Sequence, residues 1–347
     1  MTLHFEPADA AALRSEWSSL AAAAGNVFGT PEFVETWWRH FGGEREPLLY
    51  AARVEGRVRA IVSLFAERRG PVRLLRLAGA GPGDELGPVC APEDRPSALA
   101  GLRSLAEQIP HDVFLAEQLR ADAVSAAALG ARIVSTEGSP VLGRPEAGWE
   151  EFLKAGSKNF REQVRRRERK LFREHEATFR PGDPGRLDED LDLLYSLHGA
   201  RWRQGSSFAA DEAFQRSFAK IASEQGWLRL WFLEVDGAPR AAWQGFRYGG
   251  AEAYYQAGRD PVWDHASVGF VLLAHTIRAA FEDDVSEYRF LRGAEPYKYR
   301  FADSDPGLVT VGRGSGTVGR VALAAAVAVR AARRRISRWV SRASTDV

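Results

Sequence analysis

Cysteine and methionine are almost missing from this chain, with one residue of each among 347. Cys90 alone closes no internal disulfide and builds no cysteine-based zinc cage. The seven histidines are scattered without the paired spacing of metal ligands, so no metal is expected. An excess of one charge is also lacking: the formal net charge is +1, which implies no whole-protein attraction to nucleic acid. No Gly-x-x-x-x-Gly-Lys phosphate loop occurs. The opening Met1-Thr2-Leu3-His4-Phe5-Glu6-Pro7 does not run from basic to apolar as a signal peptide does, which points to a cytoplasmic location.

What is present suits a globular chain. Hydrophobic residues make up 45% and charged residues 27%, with 19 Phe, 10 Trp and 8 Tyr, so disorder is excluded for most of the length. The length exceeds what one core comfortably fills, so two cores are expected. The charge is uneven: Arg313, Arg320, Arg330, Arg333, Arg334, Arg335, Arg338 and Arg342 make the C-terminal tail basic.

A weak internal repeat organises the rest. Leu49 to Ala60 and Trp231 to Ala241 both read as strand, acidic-Gly turn, strand, through Glu55-Gly56 and Asp236-Gly237. Gly after an acidic residue between apolar runs is a hairpin signal, because tight hairpin turns need positive φ. Each hairpin is followed by a strand closing on Ala-Gly, at Ala78-Gly79 and Ala257-Gly258, and then by a predicted helix, Arg95 to Gln108 or Ser267 to Glu282. Apolar spacing near 3.6 predicts further helices over 10–24, 31–41, 158–175, 187–203 and 211–225. The expected fold is mixed α/β with a duplicated unit, mixed sheets flanked by helices. Gly, Pro and Ser cluster near Gly138 to Gly148, placing domains at 1–145 and 146–312, and Gly312-Arg313-Gly314-Ser315-Gly316 reads as a flexible linker within a tail of 313–347.

Several stretches then carry a family resemblance: Ser157-Lys158-Asn159-Phe160-Arg161, Leu197-His198-Gly199-Ala200-Arg201-Trp202, Tyr255-Gln256-Ala257-Gly258-Arg259-Asp260-Pro261, Ser267-Val268-Gly269-Phe270, and Phe290 through Arg300. In order and spacing the chain resembles the cellulose-biosynthesis (CelD/BcsL-like) acetyltransferases of the GNAT superfamily, related to the Fem peptidyltransferases. The resemblance implies a tandem GNAT fold and acyl transfer from acetyl-CoA or another acyl-CoA to an amine or hydroxyl, with a role in exopolysaccharide production. Two departures stand out. The Arg-x-x-Gly-x-Gly loop of ordinary GNAT enzymes is absent, and Val268 replaces a proline that this family often places before its glycine.

Acyl transfer from a thioester needs an anion site, a dipole for the carbonyl, a base for the acceptor and an acid for the thiolate. Ser267, Val268 and Gly269 open an apolar helix whose N-terminus offers unpaired N–H groups to phosphate, unless Ser267 simply caps it. In the strand Glu252 to Gln256, where the resemblance puts the thioester, only one of Tyr254 and Tyr255 faces the cleft, and Tyr255 with Gln256 is the pair expected there. Glu295 is read as base and Tyr297 as acid, with Lys298 and Arg300 holding phosphate; a surface salt-bridge cluster is the plainer alternative. His198, Arg201 and Trp202 are expected along an acceptor cleft, or as buried structural residues. Asp260 is an alternative base or a turn former before Pro261.

Most charges of the Arg-rich helix are expected to be solvated, with Arg161 and Arg165, at i and i+4, the candidates for facing an anionic acceptor or nucleic acid. The expected partners are a small-molecule, glycan or lipid-linked acceptor, with tRNA only in a Fem-type alternative. The final basic helix, Val318 to Val340, has too short an apolar part to span a bilayer, which takes about 20 residues. It suits peripheral contact with an anionic membrane, or packing on the protein. A non-catalytic adaptor at the membrane is the remaining alternative.

Overall fold

A computed structural model of the chain describes residues 2–121, 125–144, 148–201 and 206–343, with side chains described up to 330. The strands are β1 (Phe5–Pro7), β2 (Glu46–Val54), β3 (Arg57–Arg69), β4 (Val72–Leu77), β5 (Val89–Cys90), β6 (Val113–Arg120), β7 (Arg132–Glu137), β8 (Val141–Gly143), β9 (Ala177–Pro181), β10 (Leu228–Val235), β11 (Ala238–Tyr248), β12 (Ala251–Arg259), β13 (Glu287–Arg289) and β14 (Leu308–Gly314). They form two mixed sheets, one in each of two compact units. One unit comprises Met1–Ala24, Trp37–Glu137 and Gly307–Val347; the other comprises Gly25–Thr36 and Gly138–Pro306.

The first unit's sheet runs β1-β2-β3-β4-β6-β14-β7, with β5 on β3. Its hairpin turn holds Glu55 and Gly56 at φ of 50° and 77°, and the second unit's hairpin holds Asp236 and Gly237 at 52° and 76°. Both turns therefore need the left-handed region twice in succession, which the acidic-Gly pair tolerates. Each hairpin also carries a register shift just before its turn, after Ala52 and after Leu233. The repeat read from the sequence is thus a repeat in backbone geometry.

The stretch expected to be a flexible linker is not one. Gly312 and Gly314 belong to β14, hydrogen-bonded between β6 and β7, and Gly316 begins the helix Gly316–Ala343. The glycines serve close packing. A Cβ on Gly312 would stand 2.6 Å from Leu323 Cδ1, one on Gly314 2.5 Å from the Gly319 carbonyl carbon, and one on Gly319 1.8 Å from the Asp112 carbonyl oxygen. Small residues let the helix backbone touch the strand, with Leu323 buried at the contact.

The second unit's sheet runs β8-β13-β12-β11-β10-β9; β8 falls within the Gly138 to Gly148 stretch, and the main segment of this unit begins at Gly138. Helices cover both faces. On one, the helix Val268–Glu282 buries Val268, Val271, Leu272, Ile277 and Phe281 against Trp243, Tyr254 and Tyr288. The Arg-rich helix Lys158–Glu174 adds Val164 and Leu171 to the same core, starting where Ser157 Oγ accepts from Phe160 N at 3.2 Å. On the other face, Leu191, Leu194 and Leu197 of the helix Leu187–Arg201 pack with Phe232 and Ala242.

Candidate active site

The site follows from an incomplete strand pairing. β12 pairs with β11 over its length, but β13 pairs with β12 only from Ala251 to Ala253. Beyond Ala253 the outer edge of β12 is open. At that point the β11–β12 ladder shifts register: Gly245 faces Tyr254, Gln244 faces Gln256, and Tyr255 is the extra residue. Such a bulge re-aims side chains locally. Tyr254 and Ala257 consequently share one face and line a cavity of about 370 Å³, together with Arg167, Arg201, Trp243, Gly258, Arg259, Asp264, Ser267, Gly269, Phe270 and Tyr297.

The bulge corrects the expected facing by one residue. Tyr255 turns to the opposite side of the sheet, where it packs with Phe28, Phe208 and Phe246 and its hydroxyl accepts from Gln215 Nε2 at 2.8 Å. Gln256, cross-strand from Gln244, also leaves the cavity face. The available signal was Gly245 inside an apolar strand, since isolated glycine there marks bulges and close approaches. A Cβ at Gly245 would lie 2.4 Å from the Ala253 carbonyl oxygen.

Tyr254 and Tyr297 meet hydroxyl to hydroxyl at 3.1 Å. Burial above all pushes the Tyr297 pKa well up, with Tyr254 and Glu295 adding to the effect. Burial raises Tyr254 too, opposed by Arg201, which hydrogen-bonds it. Both hydroxyls are firmly protonated at neutral pH. Facing them is the start of the helix Val268–Glu282. Ser267 adopts a left-handed conformation, φ 58°, and its side chain caps nothing. Its carbonyl accepts from Phe270 and Val271 N at 3.0 Å each, so the first-turn N–H groups precede the helical ladder. The side chain of Val268 is fully buried in the core, leaving only its backbone to offer. Gly269 allows close approach, since a Cβ there would stand 3.2 Å from Arg259 Cδ.

Three arginines line the cavity. Arg259 is paired in bidentate fashion with Asp264, a hydrogen bond that first of all holds the Asp264 carboxyl below its ordinary pKa. Arg167 lies over the ring of Phe270 at 4.6 Å, and burial chiefly lowers its pKa, with Arg300 and Arg166 contributing. Arg167, Arg259, Asp264, Phe270 and Tyr254 were not anticipated from the sequence.

Other expected site residues are engaged elsewhere. Lys298 is buried; its Nζ donates to the Arg292 carbonyl at 2.8 Å and meets Glu295 at 3.0 Å, so it braces a loop and also occupies Glu295. Asp260 accepts from Val262 N at 3.0 Å and pairs with Arg240 at 3.1 Å, forming the turn before Pro261. His198 donates from Nδ1 to the Ala257 carbonyl at 3.1 Å and accepts at Nε2 from Ser206 Oγ at 2.7 Å. Burial lowers its pKa, so it is a neutral structural histidine. Arg161 donates to the Lys154 carbonyl at 3.2 Å on the exposed surface. Arg300 lines a neighbouring cavity instead. Trp202 lies outside the described residues. Among the described residues no three His, Cys, Asp or Glu side chains cluster to hold a metal, and no helix is long and apolar enough to cross a membrane.

Residues 158–299 match the family model described as an acetyltransferase (GNAT) domain. Residues 158–299 therefore have a GNAT-type fold, within a tandem GNAT-like architecture. It is similar in fold to the crystal structure of FemX, at TM-score 0.64 and 10% identity, over 90% of this chain and 98% of that one. The C-terminal domain of a putative lysylphosphatidylglycerol synthetase from Agrobacterium fabrum matches at TM-score 0.57 and 11% identity, over 91% and 96%. A tandem GNAT protein from the clavulanic acid biosynthesis pathway matches at TM-score 0.50 and 15% identity, over 90% and 99%. No curated protein sequence matches the chain.

Proposed function

We propose that the protein is an N- or O-acyltransferase that moves an acyl group, acetyl in the simplest case, from acyl-CoA to an amine or hydroxyl of a small-molecule, glycan or lipid-linked acceptor, in exopolysaccharide or cell-envelope biosynthesis. The observation that carries this reading is the Tyr254–Tyr297 hydroxyl pair, set where β12 and β13 part and lining the same cavity as an open helix N-terminus. The thioester supplies an electrophilic carbonyl and a sulfur leaving group. The acceptor nitrogen or oxygen bonds to the carbonyl carbon, the C–S bond breaks, and the proton shed by the acceptor ends on sulfur through solvent. Outright proton transfer from Tyr297 to a thiolate of ordinary thiol pKa, about 8.5, runs uphill. The two tyrosines therefore serve as hydrogen-bond donors to charge developing on oxygen or sulfur rather than as acids. Calorimetry with acetyl-CoA, and release of free thiol in the presence of amine acceptors, test the reading; absence of donor binding sinks it.

A second reading, aminoacyl-tRNA-dependent transfer of the Fem type, is favoured by the exposed Arg165, Arg166, Arg169 and Arg173 on one helix. It expects binding to charged tRNA that weakens steeply with salt. Peripheral membrane contact by the C-terminal helix, which exposes Val318, Val321 and Val329 beside Arg320 and Arg330, is a further part of the proposal. Flotation with anionic liposomes that is unchanged in an Arg320→Glu, Arg330→Glu variant speaks against it.

A further inference from the structure

Two guanidiniums share one aromatic ring without a counter-charge. Arg167 and Arg300 lie over Phe270 at 4.6 and 5.1 Å. Arg300 donates one hydrogen bond to Gln163 Oε1, yet among the described residues neither arginine forms an ion pair with a carboxylate. Like charges held together lower each other's affinity for the proton, and burial with the Arg300 charge does lower that of Arg167. The helix beside them begins at Val268, where its dipole also presents positive charge. Asp264, the carboxylate that lines the same cavity, is paired with Arg259, so the unpaired charge beside Phe270 is positive and favours an anion.

Arg300 stands between two cavities, packed on Phe270 of the first while itself lining the second. The same guanidinium lies over Phe160 at 5.9 Å and lines a second cavity of about 630 Å³. Phe152, Phe160 and Phe301 form its apolar side, with Phe160 and Phe301 edge to face at 5.2 Å. Asn159 and Asp303 supply polar groups at its lining. An aromatic-walled recess with a few polar edges suits a flat heterocycle, which offers π faces to stack and ring nitrogens to hydrogen-bond.

We infer that Arg167 and Arg300 clamp the phosphates of a nucleotide-linked acyl donor, and that the aromatic cavity beyond Arg300 seats its nucleobase while the thioester end lies against Tyr254 and Tyr297. The inference rests on the acyl-donor reading and adds a site for the part of the donor that does not react. Charge-assisted contacts of this kind are worth roughly a tenfold or larger change in affinity.

Calorimetry on the full chain with three probes tests it: acetyl-CoA, S-acetyl-4′-phosphopantetheine, and adenosine 3′,5′-bisphosphate. Acetyl-CoA is expected to bind at least about tenfold tighter than the truncated donor, with adenosine bisphosphate competing against it. Arg300→Ala and Phe160→Ala are each expected to shrink that difference. Equal affinity for the two acyl donors, with no displacement by adenosine bisphosphate, overturns the nucleobase cavity while leaving acyl transfer in place. Binding of neither donor overturns both. The wild-type comparison does not depend on any variant folding.

Discussion

The helix that floors the candidate active site carries an acid-sensitive residue, and its effect can be worked out from its surroundings. His275 stacks on Phe179 with ring centroids 3.8 Å apart and meets Trp231 at 4.6 Å. Arg278 Nη2 donates to its Nδ1 at 3.2 Å, so the remaining proton sits on Nε2, which has no hydrogen-bond partner. Protonating Nδ1 breaks the Arg278 contact and sets two positive charges together. Burial first, and Arg278 second, push the pKa down from 6.5 to about 4. Between those values the unfolded chain binds a proton that the folded unit does not, so stability rises with pH through the window and is lost as pH falls from 6.5 toward 4. The full shift corresponds to about 3 kcal/mol, and screening at the half-buried ring brings the expected loss to about 2 kcal/mol. Urea unfolding followed by tryptophan fluorescence at pH 7.5 and pH 4 should therefore give His275→Phe, which keeps the stack, a pH dependence flatter than wild type by about 2 kcal/mol. An NMR titration of the His275 ring with its midpoint near 6.5, or parallel pH profiles for the two proteins, refutes the reasoning.

Four other substitutions probe separate links. Tyr297→Phe removes one donor aimed at developing charge and should lower kcat by about a hundredfold with donor affinity little changed, as read in a thiol-release assay; because the pKa is raised, the wild-type rate should show no tyrosine limb between pH 7 and 9. Gly258→Ala would place a Cβ 2.2 Å from the backbone nitrogen of His198, forcing the helix Leu187–Arg201 off β12; a loss of about 1–3 kcal/mol in denaturant unfolding is expected. Gly319→Ala drives a Cβ into the Asp112 carbonyl, and faster hydrogen exchange along β14 is expected; unchanged exchange there refutes the close helix–strand packing. Asp190, fully buried, holds Arg180 at 2.8 and 3.2 Å and accepts from Asp183 N at 2.9 Å; Asp190→Ala should cost about 3 kcal/mol, measured by thermal or urea unfolding.

The helices were legible because their signals are local. Apolar spacing put the helix Pro31–Phe41 where it is observed, and the acidic-Gly pairs marked both hairpins because only that backbone fits their turns. Non-local matters were not legible. Glycine reports that a side chain is missing, not why: at Gly56 and Gly237 the reason is positive φ, at Gly312 and Gly319 it is a neighbouring backbone, and at Gly245 it is a bulge. Composition alone made the stretch from Gly312 to Gly316 look like a linker. The charged run at 295–300 failed differently, since residue type suggests phosphate binding but only folding reveals that Lys298 is turned inward to two backbone carbonyls.

The bulge at Tyr255 matters most for mechanism. Strict alternation along β12 would put Tyr255 and Ala257 on one face and Tyr254 on the other. One extra residue instead places Tyr254 and Ala257 together, with Gly258 beyond them letting the helix Leu187–Arg201 press against the strand. The same disruption falls where β13 stops pairing, so the hydroxyl pair and the open strand edge arise from one local break in the sheet. Restoring a regular ladder would cost the site both features at once. A chain that folds equally well with Gly245 and Tyr255 altered to remove the bulge, and still binds an acyl donor as tightly, would show that the break is incidental to the chemistry; the coincidence of the two features at one position is the reason to expect otherwise.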